Sequence, residues 1–234
     1  MSLYLIIMGV QGAGKGTQAA FISEEYNIPH ISTGDLFRAM RTREDDLAKR
    51  VQEIMNSGQL VSDEVTNEVL RDRLEQPDAA NGVILDGYPR NIEQAKWLET
   101  YLESRGAKLN SVLLLNLDLY TAFKRAYGRV QSQDKTQTYN FYFHDDVDCD
   151  FVVDQNGTFA PGVKATLKST GEDLSRRADD EAGSVIKRID TYVETTKPLV
   201  DYYREHGLLT EIDALQSIDA VKAEITAHLN KING

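Results

Sequence analysis

Cysteine is almost missing from this chain: Cys149 is the only one in 234 residues. An intramolecular disulfide is therefore impossible, and so is a zinc site built from several cysteines. Long apolar runs are missing too. The longest, Leu3–Met8 and residues 112–115, fall far short of the about 20 residues needed to span a membrane. No basic segment opens the chain as a secretory signal would, so a cytosolic protein is expected. Positive charge is in deficit, with 26 Lys and Arg against 37 Asp and Glu and a net charge of −11. Nucleic acid and anionic membrane need a broad positive surface and are not expected as partners. Any polyanion must be met by a locally basic pocket. With 41% hydrophobic and 27% charged residues, the composition suits a soluble globular protein with one main core, one domain carrying an insertion rather than two independent ones.

What the chain does have is alternation. Leu3–Met8 is a continuous apolar run ending at glycine, the pattern of a strand buried on both faces. Similar runs at 28–32, 83–85, 112–117 and 208–212 are separated by helical patterns at 16–26, 63–74, 92–104 and 119–128. This predicts an α/β fold with a doubly wound, five-stranded parallel sheet. Two stretches break the rhythm. Residues 130–175 read as a small inserted β lid, with strands expected at 138–143 and 151–154 and a hairpin turn at Asn156-Gly157. Residues 35–74 are long for a simple crossover and suggest a helical flap beside the sheet. Beyond the β insertion a helical pattern runs over 177–204, with Pro198 expected to kink or break it. The resulting division is a core of 1–32, 63–129 and 177–234, a helical insert of 33–62 and a lid of 130–176.

The sharpest motif is Gly9-Val10-Gln11-Gly12-Ala13-Gly14-Lys15, directly after the first strand and before the first helix. Backbone N–H groups of such a loop, with the positive end of the following helix, surround phosphate oxygens, and Lys15 can reach the transferring group. Glycines permit that close approach. A plain glycine-rich turn is the alternative, and the full spacing speaks against it. After Lys15 come Gly16-Thr17 rather than Ser or Thr at once, a departure from the loop's usual magnesium-binding position. Asp86 ends a buried strand next to this loop, where it could hold the water shell of a Mg²⁺ ion bridging two phosphates, or simply cap a turn. Arg38 and Arg90 each carry a planar fork of donors suited to phosphate. Arg125 and Arg129, four residues apart, are expected on one helical face, and Arg177 and Arg188, eleven apart, on one face of a single helix. Four guanidinium groups would then converge. Ion pairing with Asp179, Asp180 or Glu181 is the alternative for each.

Three stretches, residues 9–18, Ser32-Thr33-Gly34-Asp35 with Arg38, and Asp86-Gly87-Tyr88-Pro89-Arg90, resemble successive signatures of the adenylate kinase family. The resemblance extends over nearly the whole chain outside the β insertion. Arg125 and Arg129 before the insertion, and Thr170-Gly171-Glu172-Asp173-Leu174 with Arg177 and Arg188 after it, fall where that family places its remaining arginines. It implies reversible phosphoryl transfer from ATP to AMP, giving two ADP, by a cytoplasmic monomer that uses Mg²⁺ held through waters near Asp86. It also implies a catalytic set of Lys15, Asp86, Arg90, Arg129, Arg177 and Arg188. Gly12, Ala13, Gly14, Lys15, Gly16, Thr17, Arg125, Arg129 and Ala214 would serve ATP, with Arg125 stacked on its adenine. Thr33, Gly34, Arg38, Leu60, Val61, Gly87, Arg90, Gln94, Arg177 and Arg188 would serve AMP.

Such chemistry needs no general base, because the second phosphate pKa of about 6 leaves the acceptor largely deprotonated near neutral pH. It does need water excluded, and adenylate kinase lids are themselves a standing example of substrate-induced closure. For the acceptor, Thr33 and Gln94 speak for adenine, whereas Asn91 resembles pyrimidine monophosphate kinases, so a UMP/CMP kinase is the alternative. A catalytically silent nucleotide-binding protein is a second one. A GTPase lacks support, since no Asn-Lys-x-Asp motif is present. Gln11 replaces the proline most family members carry in the phosphate loop, and Ala214 a glycine near the donor adenine. Many relatives fasten the lid with four cysteines around zinc and others with a polar hydrogen-bonded cluster. With Cys149 alone, no structural zinc is expected, and the acidic residues 144–150 read as a solvated loop.

Overall fold

The computed structural model describes residues 2–57, 61–150 and 163–233. From the amino end the elements are β1 (Leu3–Met8), α1 (Lys15–Tyr26), β2 (His30–Ser32), α2 (Thr33–Met40), α3 (Asp46–Asn56), α4 (Asp63–Leu74), β3 (Gly82–Asp86), α5 (Ile92–Ser104) and β4 (Ser111–Asn116). Then come α6 (Leu119–Tyr127), β5 (Arg129–Gln131), β6 (Thr138–Asn140), β7 (Val147–Asp150), β8 (Lys164–Leu167), β9 (Asp173–Leu174), α7 (Ala182–Thr191), α8 (Lys197–Glu205), β10 (Leu209–Asp213) and α9 (Ile218–Asn233). The chain divides into two compact units, one of Met1–Gly9, Gly14–Asn116 and Glu194–Gly234, the other of Val10–Ala13 and Leu117–Val193.

The first unit holds the five-stranded sheet, in the order β10-β4-β1-β3-β2, with every pairing parallel. All six residues of β1 are buried, so both of its faces are covered, as the unbroken apolar run predicts. Tyr4, Ile6 and Met8 share one face with Val83, Leu85, Val112 and Leu114, and against them pack Leu98 and Leu102 of α5 and Leu199 and Tyr203 of α8. The helical stretch 35–74 is three helices because three side chains start new ones. Ser32 Oγ accepts from the Asp35 N–H, Asp45 from Ala48 and Ser62 from Val65, each supplying an acceptor that helix-starting N–H groups otherwise lack. Met40, Ala48, Val51 and Val69 form a separate small core among these helices.

The second unit contains two small antiparallel sheets, β5-β6 and β7-β8-β9, around Val130, Val147, Ala165, Leu167 and Leu174. β6 stops at Asn140, three residues short of the expected strand, because Asn140 turns the chain. Its side-chain oxygen accepts from the Tyr142 N–H at 2.9 Å, and its carbonyl accepts from Phe143 and His144. The strand expected at 151–154 and the turn at Asn156-Gly157 lie outside the described residues. β7 and β8 on either side are paired from Val147↔Leu167 to Asp150↔Lys164.

Two helical expectations are corrected. Arg125 and Arg129 do not share a helix, since α6 ends at Tyr127 and Arg129 opens β5. The reason is Asn140, whose Nδ2 donates to the carbonyls of Lys124 (3.2 Å) and Arg125 (3.0 Å) and so stands in for the next helical turn. Nor do Arg177 and Arg188 lie on one helix. Arg177 and Glu181 have extended backbone on either side of a single 3₁₀ turn, and α7 begins only at Ala182. Here the Asp180 carbonyl is taken by Arg176 Nη2 at 2.8 Å. Pro198 falls in the first turn of α8 after a π-helical turn at Tyr192–Thr196, the one place in a helix where a missing N–H costs little.

The loops between β5 and β9 are fastened by polar groups. Asp134 accepts from the Ser132 hydroxyl at 2.6 Å and from both the N–H and hydroxyl of Thr136, while Asp146 takes the N–H and hydroxyl of Ser169. Gln133 donates to Glu172 and to the Asp173 carbonyl. Among the described residues no group of three or more His, Cys, Asp or Glu is placed to hold a metal. Dialysis against a strong chelator is therefore expected to leave the melting temperature unchanged; a clear fall would put a structural metal in this region.

Candidate active site

The loop after β1 runs from Gly9 to Lys15. Gly12 and Gly14 both have φ of 89°, a left-handed value that side chains resist. At Gly12 crowding adds to this: a Cβ would come 2.6 Å from the Ala122 carbonyl oxygen and 3.1 Å from Arg125 Cβ. α1 starts with Gly14 as its cap, with no side-chain cap hydrogen bond and no acidic residue in its first turn. Its positive end therefore suits an anion. Lys15 Nζ donates to the Gly9 carbonyl at 2.8 Å, and Gly16 and Thr17 are exposed in the first helical turn.

Parallel register brings the next pieces alongside in the first unit. Asp86 pairs with Ile7 of β1 and with Ser32 of β2, so the carboxyl ends of three strands meet where Thr33, Asp86 and the start of the phosphate loop emerge. The Asp86 carboxylate is 16% exposed and faces His30 Nε2 at 3.5 Å. Thr33 Oγ1 donates to the Gly87 carbonyl at 3.0 Å, and Arg90 Nε donates to the same oxygen at 3.0 Å with its Nη2 3.4 Å from Thr33 Oγ1. Gly87 has φ of 78°, and a Cβ on it would press to 2.9 Å from Thr33 Oγ1. Burial lowers the Arg90 pKa, and the charge of Asp86 partly offsets that, although the residue as a whole is exposed to solvent. A group both solvent-accessible and crowded by protein lies in a recess. Its hydrogen-bond acceptors among the described residues are neutral oxygens, so its charge has no carboxylate fork of its own.

Around this knot the other residues that the sequence assigned to AMP are more heavily engaged. Arg38 pairs with Asp35 one helical turn before it and lies against Gly34, where a Cβ would sit 3.3 Å from Arg38 Nη1. Burial alone would raise the Asp35 pKa, but hydrogen bonds from Arg38 and Ser32 outweigh it and hold the carboxyl below the usual range. Gln94 is buried. Its Oε1 accepts from the Arg90 N–H at 2.8 Å and its Nε2 donates to Asp63 at 2.6 Å, which leaves the amide one further N–H. Asn91 caps α5 by accepting from the Gln94 N–H and donates to Asp63. Val61 is half-buried, and Leu60 lies outside the described residues. Ala214 is buried after β10, with its N–H on the Asn116 carbonyl.

In the second unit three arginines are gathered by two aspartates. Arg129 grips Asp180 with two hydrogen bonds of 2.8 and 2.6 Å, and Asp180 is fully buried. Arg177 grips Asp179 with two bonds of 3.0 Å. Arg188 joins both, with Nη1 3.0 Å from Asp179 and Nη2 3.8 Å from Asp180. Burial by itself would lower the Arg129 pKa, but the hydrogen bonds and charge of Asp180 raise it. Asp179 goes the other way: burial pushes it up, and the charges of Arg177 and Arg188 hold it below the ordinary carboxylate range. Expected convergence of Arg129, Arg177 and Arg188 is thus observed, by ion pairing rather than by helical periodicity. Arg125 is set beside Gly12 instead.

The sequence model of the adenylate kinase family matches residues 7–208. The chain belongs to the adenylate kinase family. Over 221 residues it is 41% identical to the adenylate kinase of Caldanaerobacter subterraneus, covering 94% of this chain and 93% of that one. It is 40% identical over 225 residues to the Clostridioides difficile adenylate kinase, covering 96% and 97%, and 40% identical over 221 residues to one from Listeria monocytogenes, covering 94% and 96%. As an adenylate kinase family member the chain is a phosphotransferase that moves a phosphoryl group between ATP and AMP.

Sequence reasoning missed how far this family site leans on residues without a phosphate in view. Arg176 is the clearest case. Its side chain, 8% exposed, donates to the Tyr127 carbonyl at 2.7 Å and the Asp180 carbonyl at 2.8 Å and lies 4.8 Å over the Tyr127 ring, tying the end of α6 to the approach of α7. Its adjacency to Arg177 in sequence gave no way to assign the two arginines different partners. Asp180 is the other, since a run of Asp179, Asp180 and Glu181 reads as solvated surface, yet one of the three is buried. Replacing it leaves Arg129, whose side chain is 26% exposed, partly desolvated and unpaired. Asp180→Ala is expected to cost about 2–3 kcal/mol after allowing for that exposure, a fall of roughly 5–10 °C in melting temperature; an unchanged melting curve would show that the pair anchors nothing.

Proposed function

We propose that this chain is an AMP-specific kinase in which Gly12, Ala13, Gly14, Lys15, Gly16 and Thr17 hold the ATP phosphates and Thr33, Gly34, Arg38, Gly87 and Arg90 hold the AMP phosphate. The observation that carries the reading is Arg90, a crowded guanidinium fixed by the neutral oxygens of Gly87 and Thr33 at the carboxyl end of the sheet. A cation preorganised by neutral acceptors keeps its charge for an incoming anion.

The nucleophile is an oxygen of the AMP phosphate, already deprotonated, so in-line positioning and countercharge supply the catalysis and no side chain needs to take a proton. Lys15 moves with the transferring group, and Arg129, Arg177 and Arg188, gathered beforehand by Asp179 and Asp180, neutralise phosphate oxygens as charge spreads over them. Arg125 stacks on the donor adenine, and Ala214 serves the donor as well. Asp86 fits a magnesium role, since among the described residues its carboxylate is engaged by no hydrogen-bond donor closer than His30 Nε2 at 3.5 Å and can accept from coordinated water. Magnesium, when bound with ATP, would be held through waters near Asp86 and would supply countercharge to the phosphates. Residues 33–62 and 130–176 are the pieces that close over the nucleotides, which excludes water as a competing acceptor. Among the described residues no helix is long and apolar enough to cross a membrane, and with a net charge of −11 we read the enzyme as a cytoplasmic monomer that acts on nucleotides rather than nucleic acid or membrane.

For acceptor choice, Thr33 and Gln94 favour adenine, with Val61 and Leu60 lining its pocket. Asn91, the residue that resembled pyrimidine kinases, has its amide occupied in capping α5 and binding Asp63, a structural duty that weakens its value as a signal of base choice. A coupled assay of ATP against AMP, GMP, CMP and UMP is expected to give AMP a kcat/KM at least about tenfold above the others, a margin of about 1.4 kcal/mol; preference for UMP or CMP would refute the acceptor assignment, and failure to convert ADP despite binding it would favour the silent reading. Lys15→Met is expected to lower kcat by roughly a hundredfold or more, and steady-state kinetics with unchanged turnover would remove Lys15 from the site.

A further inference from the structure

Within the phosphate loop one side chain is at odds with its surroundings. Gln11 stands between Val10 and Gly12, and both of its amide atoms, Oε1 and Nε2, are buried without a hydrogen-bond partner. A buried amide left unpaired costs on the order of 1–3 kcal/mol per group, and most such groups in native proteins find a partner. The cost is avoidable, because an apolar side chain has nothing to leave unsatisfied. The residue also sits where the loop's own chemistry points to an anion: its neighbours Gly12 and Gly14 hold left-handed backbone, and the uncapped start of α1 follows four residues on.

We infer that the Gln11 amide is a binding residue for the ATP triphosphate, its Nε2 donating to a non-bridging phosphate oxygen and so adding a side-chain donor to a loop that otherwise offers backbone N–H groups. A phosphate oxygen is a charged acceptor and makes hydrogen bonds about twice as strong as neutral ones, which compensates the burial that the free protein leaves unmatched. The chemistry separates the two substrates: the amide serves the donor, whereas the AMP side is supplied by Thr33, Arg38 and Arg90. This assignment rests on the reading that ATP phosphates occupy this loop.

The test compares ATP and AMP dissociation constants, measured by titration calorimetry with Mg²⁺ present, in the wild-type protein and in Gln11→Met, which keeps length and removes both polar atoms. ATP is expected to bind about tenfold more weakly and AMP unchanged, while the melting temperature of the nucleotide-free protein stays level or rises. Gln11→Glu, which sets a carboxylate against the phosphates, is expected to weaken ATP by more than the Met variant and again to spare AMP. ATP affinity at the wild-type value in both variants overturns the assignment and would mean that ordered water satisfies the amide. Equal loss of ATP and AMP affinity overturns it as well, since the effect would then be on the fold. Lys15→Met, run alongside, separates the two readings: if its ATP affinity and turnover match wild type, the triphosphate is not in this loop; if only the Gln11 variants are silent, the amide assignment alone fails.

Discussion

Parallel pairing of β1, β3 and β2 is the constraint on which the placement of Thr33, Asp86, Gly87 and Arg90 depends. A strand buried on both faces has no water for its backbone, so each polar group must bond to the strand beside it. Satisfying that requirement in parallel fixes the register at Ile7↔Asp86 and Ser32↔Asp86, and the three strands end level. Where the strand ladders stop, the chain must turn, and backbone and side-chain groups become free for other partners. Thr33, Asp86, Gly87 and Arg90 all emerge at that edge. Their placement follows from packing apolar residues such as Ile6, Ile31 and Leu85, not from any attraction among the functional groups.

Charge poses the opposite problem, because cations brought together repel until an anion arrives. The chain meets it differently in its two units. Arg129, Arg177 and Arg188 are held by two aspartates whose combined charge nearly balances them, leaving an excess of about one positive charge by simple count. The fork geometry on Asp180 and Asp179 fixes each guanidinium plane. Arg90 has neutral acceptors instead and keeps its full charge, at the cost of a lowered pKa. A protein with a net charge of −11 can thus bind polyanions, because what matters is the field at a recess a few ångströms across and not the sum over a surface screened within about 8–10 Å.

Most of this was legible in the sequence wherever one residue type has one physical use. The apolar run at β1 could only be a covered strand, and glycine spacing after it marked the loop. Legibility failed where a helix boundary is set by a side chain that lies outside the helix. Asn140 ends α6 fifteen residues away by taking the Arg125 carbonyl, and Arg176 takes the Asp180 carbonyl before α7 can begin. Periodicity counts along one segment and is blind to such side chains, so it placed four arginines on two helices when two of them, Arg129 and Arg177, lie outside any α-helix. The convergence of three of them survived because ion pairing with Asp179 and Asp180 does not need helical spacing.

The region from β5 to β9 shows how one structural requirement admits different chemistry. Among the described residues the two small antiparallel sheets are built around Val130, Val147, Ala165, Leu167 and Leu174, too few to fix their loops by packing alone. Cross-links must supply the rest. A metal bound by thiolates does this with a few strong directional bonds, whereas here Ser132, Asp134, Thr136, Asp146 and Ser169 distribute the task over many weaker ones. Their carboxylates accept from neutral hydroxyl and amide donors, which holds the Asp134 carboxyl below its ordinary range. Because exposed hydrogen bonds exchange readily with water, such a segment keeps its shape through the number of its contacts. That suits a segment read as opening and closing in each catalytic cycle, since no single bond has to survive every movement.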